Sequence, residues 1–517
     1  MRYRLGVDVG NTNTDCVLLD SDGRLMAKVK RSVTADISAS IREAVGAVLA
    51  LAGVPPADIG YAMLGTTQVT NAILERRRLA RVGLLRIGAP ATEAVDPLAD
   101  WPEDLRRVVL RRAHTVRGGH EYDGRPISPL DEDAIRRFVE TARDDISSLA
   151  VVSVFSPVRH EHELWVRQLV QSIDPELPVS LSHEIGSVGF LERESATVLN
   201  AAVAQAARRA ALAFQEALGA AGIEARSYLS QNDGTLMSVE YGLRYPIRTV
   251  ACGPTNSMRG AAFLSGVDDA VVVDIGGTST DIGALRGGYP LESAAAVEFG
   301  GMRTNFRMPD LVSLGLGGGS RVRAGPEGVR IGPDSVGYEL ERTAQVFGGD
   351  TLTLTDIAVR RGVCSIGTRQ AAVGAELADA AYDAFVKAVA DGVERMRLTP
   401  DPLPLILVGG ASVLLPDRIG DSPQVIRPEH FDVANAVGAA LAEVSGHSDR
   451  VYSLAGRGRE QVLAQAVAAA EADAIRAGAD PDGLEVREVD ELPIAYLPGD
   501  SIRVRAVVAG RLRREGP

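Results

Sequence analysis

Lysine is scarce in this sequence, since only three of the 55 basic residues are lysines: Lys28, Lys30 and Lys387. A P-loop NTPase needs a Gly-Lys-Ser/Thr run, and a protein-kinase-like enzyme needs a lysine on its third strand. None of the three lysines stands in a sequence that matches either motif. We expect no lysine near a functional motif. If the protein handles phosphate, backbone amides, hydroxyl groups and a carboxylate-held metal must do so, and the 54 glycines leave room for such turns.

Cysteine, positive net charge and long apolar runs are also lacking. The three cysteines form no CxxC pair, which argues against a zinc cluster or a disulfide framework and favours a reducing cytoplasm. The net charge is −13, whereas a protein that binds nucleic acid usually has a positively charged surface for the phosphate backbone. No apolar stretch approaches the ~20 residues of a membrane span, and no signal-peptide pattern follows Met1. We expect a cytoplasmic protein with neither nucleic acid nor membrane as a partner.

The chain is long enough for several domains around a large core. At ~100–200 residues per domain, 517 residues imply about three domains, and 45% hydrophobic with 24% charged residues is ordinary for a globular protein. The apolar pattern predicts alternating strands and helices. The predicted elements that bear on the fold are a three-stranded meander over 3–31, helices over 37–52, 65–78 and 190–220, a strand over 270–274, and a third strand of a second meander over 294–298.

One turn sequence occurs twice. Residues 8–15 (DVGNTNTD) and 274–281 (DIGGTSTD) share Asp, Gly, Thr, Thr and Asp at the same offsets, and each copy ends an apolar strand. In such a turn the aspartate can hold Mg²⁺ through water, the glycine lets the backbone approach, and amides and threonine hydroxyls face phosphate oxygens. A tight hairpin turn explains either copy alone. The pair favours two turns that clamp one nucleoside triphosphate across a cleft.

Further motifs follow these turns in a fixed order. They are Gly65-Thr66-Thr67 with the residues up to 76, and the segments 193–201, 230–234, 252–254, 316–320, 332–337, 409–412 and 434–440. The order resembles the actin/sugar-kinase/Hsp70 ATPase fold. Within that superfamily the chain is similar to the hydantoinase A/5-oxoprolinase family, and the similarity covers most of residues 1–446.

The resemblance implies an α/β fold of two duplicated actin-like, ribonuclease H-like ATPase halves with inserted subdomains and a small C-terminal α+β unit. We predict the first half at residues 1–190, with an irregular insertion at about 88–145. The predicted second half and C-terminal unit are 191–450, with an irregular insertion at about 300–369, and 451–517.

The resemblance also implies an activity, the ATP-dependent hydrolysis of a cyclic amide such as a hydantoin, 5-oxoproline or a related lactam. ATP would phosphorylate the amide oxygen, and water would attack the activated carbon, with Mg²⁺ and amides neutralising charge. Asp8 and Asp274 are the implied catalytic and metal-side carboxylates. The residues assigned to ATP are Gly10, Asn11, Thr12, Asn13, Gly276, Gly277, Thr278, Ser279, Gly317, Gly318, Gly409 and Gly410.

Other side chains receive roles from the family motifs alone. Arg193 and Glu194 match an Arg-Glu motif in which they would orient a carbonyl and activate water, with a solvated first helical turn as an equal alternative. Asp310, near the Gly-Gly-Gly-Ser segment, is a further metal candidate, although glycine flexibility alone explains that triplet. His183 is interpreted as an exposed loop residue. Cys252 is interpreted as a small buried residue, since nothing nearby in the sequence lowers the pKa of its thiol.

The sequence departs from the family pattern in ways that bear on the substrate more than on ATP. Asn11 and Asn13 stand where the family usually has glycine and an aromatic residue, and Asp233 replaces a glycine. The second insertion is compact and the C-terminal region is short. The first turn alone is equally similar to type III pantothenate kinases, which are much shorter and lack the segment 65–72.

Two other functions and several partners stay open on the sequence. A small-molecule kinase of the same superfamily would release a phosphorylated product. An ATP-binding regulatory subunit of a two-subunit hydrolase or carboxylase would switch a partner without chemistry of its own. Many relatives work with a second large subunit encoded separately. The expected partners are therefore a small cyclic amide and a separate second hydrolase subunit, with a homo-oligomer left open.

Overall fold

The computed structural model describes residues 3–10, 12–33, 36–293, 297–325, 328–397, 399–454, 456–494 and 501–513. The strands are β1 (Tyr3–Val9), β2 (Asn13–Leu19), β3 (Leu25–Ser32), β4 (Ile59–Thr66), β5 (Val82–Ala89), β6 (Leu110–Arg117), β7 (Ser148–Ser153), β8 (Val179–Leu181), β9 (Arg226–Ser230), β10 (Leu236–Ser238), β11 (Ala270–Ile275), β12 (Thr280–Arg286), β13 (Tyr289–Pro290), β14 (Val297–Phe299), β15 (Met302–Thr304), β16 (Leu311–Leu314), β17 (Ser320–Gly325), β18 (Gly328–Ser335), β19 (Leu405–Val408), β20 (Val425–Ile426), β21 (Val444–Ser453), β22 (Glu485–Pro493) and β23 (Ser501–Gly510). The helices are α1 (Ile37–Ala52), α2 (Gln68–Leu74), α3 (Glu103–Val109), α4 (Glu132–Ala142), α5 (Glu161–Ile173), α6 (Ser182–Ile185), α7 (Phe190–Ala220), α8 (Val239–Arg244), α9 (Cys252–Ser265), α10 (Leu340–Thr343), α11 (Leu354–Arg360), α12 (Ala375–Arg395), α13 (Ala434–Leu441) and α14 (Arg459–Ala477).

Two sheets repeat one topology, as the sequence predicts. In the first sheet, β1 pairs antiparallel with β2 and parallel with β4, and the order is β3-β2-β1-β4-β9. In the second sheet, β11 pairs antiparallel with β12 and parallel with β19, and the order is β13-β12-β11-β19-β20. The central strands read as apolar runs because both faces of each sheet are covered. The predicted fold class, two duplicated actin-like ATPase halves, is confirmed.

The third strand of the second meander does not lie where the sequence predicts it. Residues 294–296 of the predicted strand lie outside the described residues, and β14 pairs with β15 rather than with β12. The outer side of β12 is instead covered by β13 and β16. Strand β13 has only two residues, and β16 pairs with the rest of β12, residues 280–283.

The two stretches predicted as insertions contain regular helices and strands, although their sequences read as irregular. Residues 88–145 include α3, β6 and α4, and β6 pairs in parallel with β5 at the edge of a separate four-stranded sheet, β6-β5-β7-β8. Edge strands tolerate charge, which explains why the exposed β6 reads as arginine-rich. Residues 300–369 include the hairpin β17-β18 and α11, which Thr353 and Asp356 cap reciprocally.

The predicted boundaries at residues 190 and 450 do not coincide with the edges of the sheets. The long helix α7 packs its first half on the four-stranded sheet and its second half on the first sheet. The strand after it, β9, joins the first sheet. The predicted C-terminal α+β unit contains α14, β22 and β23, and its two strands extend the same sheet through β21 and β10 to nine strands. In the described part of the chain, no helix is long and apolar enough to cross a bilayer.

Candidate active site

The two repeated turns are built with the same hydrogen bond. Gly10 N donates to Asn13 O at 3.0 Å, and Gly276 N donates to Ser279 O at 2.9 Å. Each turn joins a central strand to its antiparallel neighbour, β1 to β2 and β11 to β12. The sequence repeat is therefore also a structural repeat, at the carboxyl end of the central strand of each sheet.

The turns of the two halves face each other. A Cβ atom placed on Gly277 would lie 3.4 Å from Cγ2 of Thr12. Between the halves lies a cavity of about 330 Å³. Of the residues assigned to ATP from the sequence, those that line it are Gly10, Thr12, Asn13, Gly276, Gly277, Gly318, Gly409 and Gly410. Thr278, Ser279 and Gly317 are not among its lining residues, and Asn11 lies outside the described residues.

Asp8 is a buried carboxylate at the end of β1. Its Oδ2 accepts a hydrogen bond of 2.9 Å from Asn435 Nδ2, which also donates to Asp15 Oδ2 at 2.9 Å. Burial, with the charge of Asp15 as a second cause, raises the pKa of Asp8 to about 7. Its Oδ1 is buried beside Gly65 and the side chain of Asn256, and a hydrogen bond from Asn256 opposes the rise in the pKa.

Two of the three lysines lie at this site, so the expectation that no lysine is near a motif is wrong. Lys30 Nζ donates to Asp15 Oδ1 at 2.6 Å and to the backbone oxygen of Asp432 at 3.0 Å. Lys28 Nζ donates to Asp432 Oδ1 at 2.6 Å. The sheet register causes this contact, because β3 pairs with β2 so that Lys30 stands opposite Asp15. Pairing between strands brings together residues that the linear spacing keeps apart.

The second half repeats the paired carboxylates. Asp274 stands opposite Asp281 across β11 and β12, as Asp8 stands opposite Asp15. Burial raises the pKa of Asp274, and a hydrogen bond with Ser257 opposes the shift. Burial also raises the pKa of Asp281 to about 6, although Ser313 Oγ donates to it at 2.5 Å.

A glycine is pressed against the first carboxylate of each pair. A side chain on Gly409, which has a φ of +83°, would overlap Oδ1 of Asp274 and the backbone oxygen of Ile275. A side chain on Gly65 would likewise overlap Oδ1 of Asp8. Only glycine permits these close approaches, and at Gly409 it also permits the left-handed backbone.

The residues present fit a nucleoside triphosphate with a hydrated metal ion. Within the described ranges, no group of three or more His, Cys, Asp or Glu side chains could hold a metal ion. Asp8 and Asp274 instead stand at separate strand ends, which suits contact with the hydration shell of Mg²⁺, an ion that usually keeps several waters. The open glycine turns and Asp274 line the cavity, which is consistent with such a ligand, whereas Asp8 lies behind the lining residues.

Asp310, the third predicted metal ligand, lies elsewhere. It is exposed, just before β16, and its backbone N–H donates to Leu291 O at 2.8 Å. β16 runs antiparallel to β12, so Asp310 lies beyond Gly283, away from the turn that Asp274 precedes. The structure does not bring Asp310 together with Asp8 and Asp274.

Arg193 and Glu194 are buried, so the alternative of a solvated first helical turn is wrong. Glu194 forms a two-point ion pair with Arg86 on β5, with N–O distances of 2.5 and 2.7 Å. Arg193 donates to the backbone oxygens of Ser153 at 2.8 Å and Ser187 at 3.0 Å. These bonds hold α7 against the four-stranded sheet, and neither side chain lines the cleft.

Two further predictions about single residues have opposite outcomes. Cys252 is buried, and burial raises the pKa of its thiol to about 12, which confirms it as a small buried residue. His183 is not the exposed loop residue that the sequence indicated. Only 8% of its side chain is exposed, and its Nδ1 lies 2.6 Å from Glu163 Oε2.

Sequence reasoning assigned no role to Asn435 or Lys30. Asn435 is a polar residue in the otherwise apolar helix α13, and that contrast is a signal in the sequence. Lys30 gave no such signal, because its position depends on the pairing of β2 with β3.

Comparisons with known proteins agree with this architecture. Residues 4–174 match the hydantoinase/oxoprolinase N-terminal region, and residues 193–365 match the hydantoinase/oxoprolinase family. The chain is 28% identical to caprolactamase subunit alpha of Pseudomonas jessenii, over 72% of this chain and 58% of that protein. It is 27% identical to the acetophenone carboxylase gamma subunit of Aromatoleum aromaticum, over 69% of this chain and 53% of that protein. The chain thus spans little more than half the length of these relatives.

The fold is shared with a solved structure. The ATP-dependent caprolactamase from Pseudomonas jessenii aligns with a TM-score of 0.78 at 21% identity, covering 99% of this chain and 88% of that one. The two family matches together extend over most of the chain, and the duplicated turns lie where the fold places its cleft. The chain belongs to the hydantoinase/oxoprolinase family.

Proposed function

We propose that the protein catalyses the ATP-dependent hydrolysis of a cyclic amide, such as a hydantoin, 5-oxoproline or a related lactam. The observation that carries this proposal is the pair of glycine turns that face each other across one cleft, with Asp8 and Asp274 at the two strand ends. Family membership supports the reaction type, since a relative is named a caprolactamase.

The glycine turns would bind the phosphates. Gly10, Thr12, Gly276 and Gly277 line the cavity from both sides. The N–H groups of Gly10 and Gly276 close their own turns, so the amide of Gly277 and the hydroxyl of Thr12 would be the donors to phosphate. Gly409 and Gly410 would lie against the adenosine. Asp8 and Asp274 would hold Mg²⁺ through water. When bound, ATP supplies the phosphoryl group that makes the amide oxygen a leaving group, so that water can attack the ring carbon.

The neighbouring side chains fix these carboxylates in place. Asn435 donates to Asp8 and Asp15 together, which keeps two buried carboxylates at a constant separation. The ammonium group of Lys30 forms an ion pair with Asp15, and Lys30 also lines the cavity. Because these groups are in position before a ligand arrives, little reorganisation is needed when charge develops during phosphoryl transfer.

A separate second hydrolase subunit is part of the proposal. The relatives above are named as an alpha and a gamma subunit, and the chain spans little more than half of their length. We therefore expect full activity in a complex with the product of a neighbouring gene.

Turnover with a panel of hydantoins and lactams tests the function. ATP hydrolysis and ring-opened product are measured for the chain alone and for the chain with its genomic neighbour. Asp274→Asn should abolish turnover, whereas Asp310→Asn, an equal change at an exposed carboxylate, should not. No substrate-stimulated ATP hydrolysis in either setting would falsify the proposal. Release of a phosphorylated product would identify a small-molecule kinase, and tight ATP binding without turnover would identify a regulatory subunit.

A further inference from the structure

A second cavity of about 390 Å³ lies apart from the nucleotide cleft. Its walls come from α6, from the segment after β9, and from β21, and none of the residues assigned to ATP lines it. Its size is within the range of about 300–1,000 Å³ that is usual for small-molecule sites. Two aromatic side chains, Tyr245 and Phe306, contribute apolar surface to the wall.

His183 presents a hydrogen-bond acceptor to this cavity. Glu163, which is fully buried, accepts bonds from the backbone N–H of His183 at 3.0 Å and from Ser182 Oγ at 2.5 Å. Burial opposes ionisation, but the hydrogen bonds from His183 and Ser182 hold the pKa of Glu163 below its usual range. The carboxylate therefore takes the proton-bearing Nδ1 of His183 as its partner, at 2.6 Å.

In the neutral ring of His183, the opposite nitrogen is an acceptor. With the proton on Nδ1, Nε2 of His183 carries a lone pair. No described residue donates to it, and His183 lines the cavity. The contact between His183 and Glu163 orients the ring without using the atom that a ligand would meet.

A hydrogen-bond donor, Arg450, lies in the same cavity as His183. Arg450 lines the same cavity from β21, is exposed, and forms no ion pair with any described residue. Other arginines of the wall contact carboxylates. Arg307 pairs with Glu292 and Glu488, and Arg248 pairs with Asp473. Arg450 is therefore an arginine of this wall without a carboxylate partner in the described part of the chain.

We propose that this cavity binds the ring of the cyclic amide, an inference that rests on the proposed function. A lactam or hydantoin holds its amide in the cis form, so its N–H and C=O groups lie side by side on one edge of the ring. The N–H donates to His183 Nε2, the C=O accepts from Arg450, and the ring packs against Tyr245 and Phe306. An open-chain trans amide cannot present both groups to one edge.

Helix α9 connects the cavity with the cleft. Thr255 Oγ1 donates to the backbone oxygen of Gln231 at 3.3 Å, and Gln231 lines the cavity. Ser257, two residues further along the same helix, lines the cleft. Helix α9 thus borders the cleft and is hydrogen-bonded to the wall of the cavity.

The test measures lactam affinity directly. Isothermal titration of the full chain with ε-caprolactam and with 5-oxoproline is carried out on the wild type, His183→Asn and Arg450→Gln. Asparagine retains a donor for Glu163 but has no acceptor at the Nε2 position. We expect each variant to weaken lactam binding roughly tenfold or more, because one hydrogen bond to the ligand is lost. ADP affinity and thermal unfolding should not change.

His114→Asn provides the matched control. His114 lies on β6, is exposed, stacks on Phe138 and is not part of the cavity wall, so its replacement should leave lactam affinity unchanged. If His183→Asn does not fold, Arg450→Gln decides, because Arg450 is exposed and pairs with no described residue.

The outcomes separate this proposal from the proposed function. Unchanged lactam affinity in both cavity variants overturns the cavity as the site, even if the wild type opens lactam rings with ATP. Failure of the wild type to bind any lactam also overturns it. Loss of lactam binding in the variants supports the cavity, even if the wild type shows no ATP-dependent ring opening, a result that would count against the function alone.

Discussion

Asn435 Nδ2 lies 2.9 Å from Asp8 Oδ2, so that helix α13 is tied to the first turn by residues 427 positions apart. The same nitrogen serves Asp15, and through Asp15 the contact extends to Lys30. Two carboxylates of one half are thereby fixed by an amide that the chain supplies only after the second sheet is complete.

Asn435→Ala tests this contact. Loss of the donor leaves two buried carboxylates without their shared partner, and we expect a loss of about 1–3 kcal/mol in the free energy of unfolding. Nucleotide affinity should also fall, since Asp8 is no longer held. Urea unfolding and ADP titration measure the two effects. A variant as stable as the wild type, with unchanged ADP affinity, would contradict the role given to Asn435.

Gly409→Ala should abolish nucleotide binding. A methyl group there overlaps Asp274 and strains a backbone with φ of +83°. Gly420→Ala is the matched control, because Gly420 also has a positive φ, +57°, but a Cβ there meets nothing within 4 Å. We expect both variants to lose some stability and Gly409→Ala alone to lose ADP binding, by roughly tenfold or more. Equal ADP affinity in the two variants would refute the overlap.

The pKa of Asp8 predicts how metal-dependent nucleotide binding changes with pH. Because the pKa is about 7, the carboxylate fraction increases between pH 6 and pH 8, and Mg²⁺-dependent ATP affinity should increase with it. Binding near pH 7 should release a proton, which titrations in buffers of different ionisation enthalpy detect. The Asp8→Asn variant should bind Mg²⁺-ATP more weakly than the wild type and release fewer protons on binding. A flat affinity profile in the wild type would argue against Asp8 as a metal-side carboxylate.

The same shift has a consequence for stability, with the opposite sign. The pKa of Asp8 is higher in the folded chain than its ordinary value of about 3.9, so the folded state binds more protons between these two values. The contribution of Asp8 to stability is therefore greatest at low pH and decreases as the pH rises from about 4 to about 7. Urea unfolding of the wild type and of Asp8→Asn at several pH values measures this contribution of Asp8 to the free energy of unfolding.

The ion pair between Arg86 and Glu194 predicts a structural effect. Arg86→Met leaves the carboxylate of Glu194 buried without its cation, and we expect a loss of about 3–5 kcal/mol. The double variant Arg86→Met/Glu194→Met should be more stable than Arg86→Met alone. Thermal unfolding measures both. If Glu194 instead activates water, Glu194→Gln would lose ATP-dependent turnover per folded molecule while retaining ADP affinity.

Much of the fold could be predicted because local patterns specify it. Apolar runs and glycine turns predicted the meander over residues 3–31 and the strand before Asp274. Both turns lie where the sequence predicts them. What sequence reasoning missed depends on strand pairing. Lys30 contacts Asp15 because of the register of β2 with β3. Strand β6 was not predicted, because its charged residues hide the apolar pattern of a strand. The sequence did not decide whether Glu194 is buried, because its partner, Arg86, lies 108 residues away on strand β5.

The nine-stranded sheet has a consequence for how the chain is assembled during synthesis. Strand β1 is made first, yet β9, the middle strand of the nine, comes more than 200 residues later and β23 later still. Ribosome-bound chains that end before β9 therefore carry the first glycine turn on a sheet with an unfilled position. A chain cut at residue 450 would remove the last part of β21 and both strands beyond it, exposing a sheet edge that the full chain keeps paired.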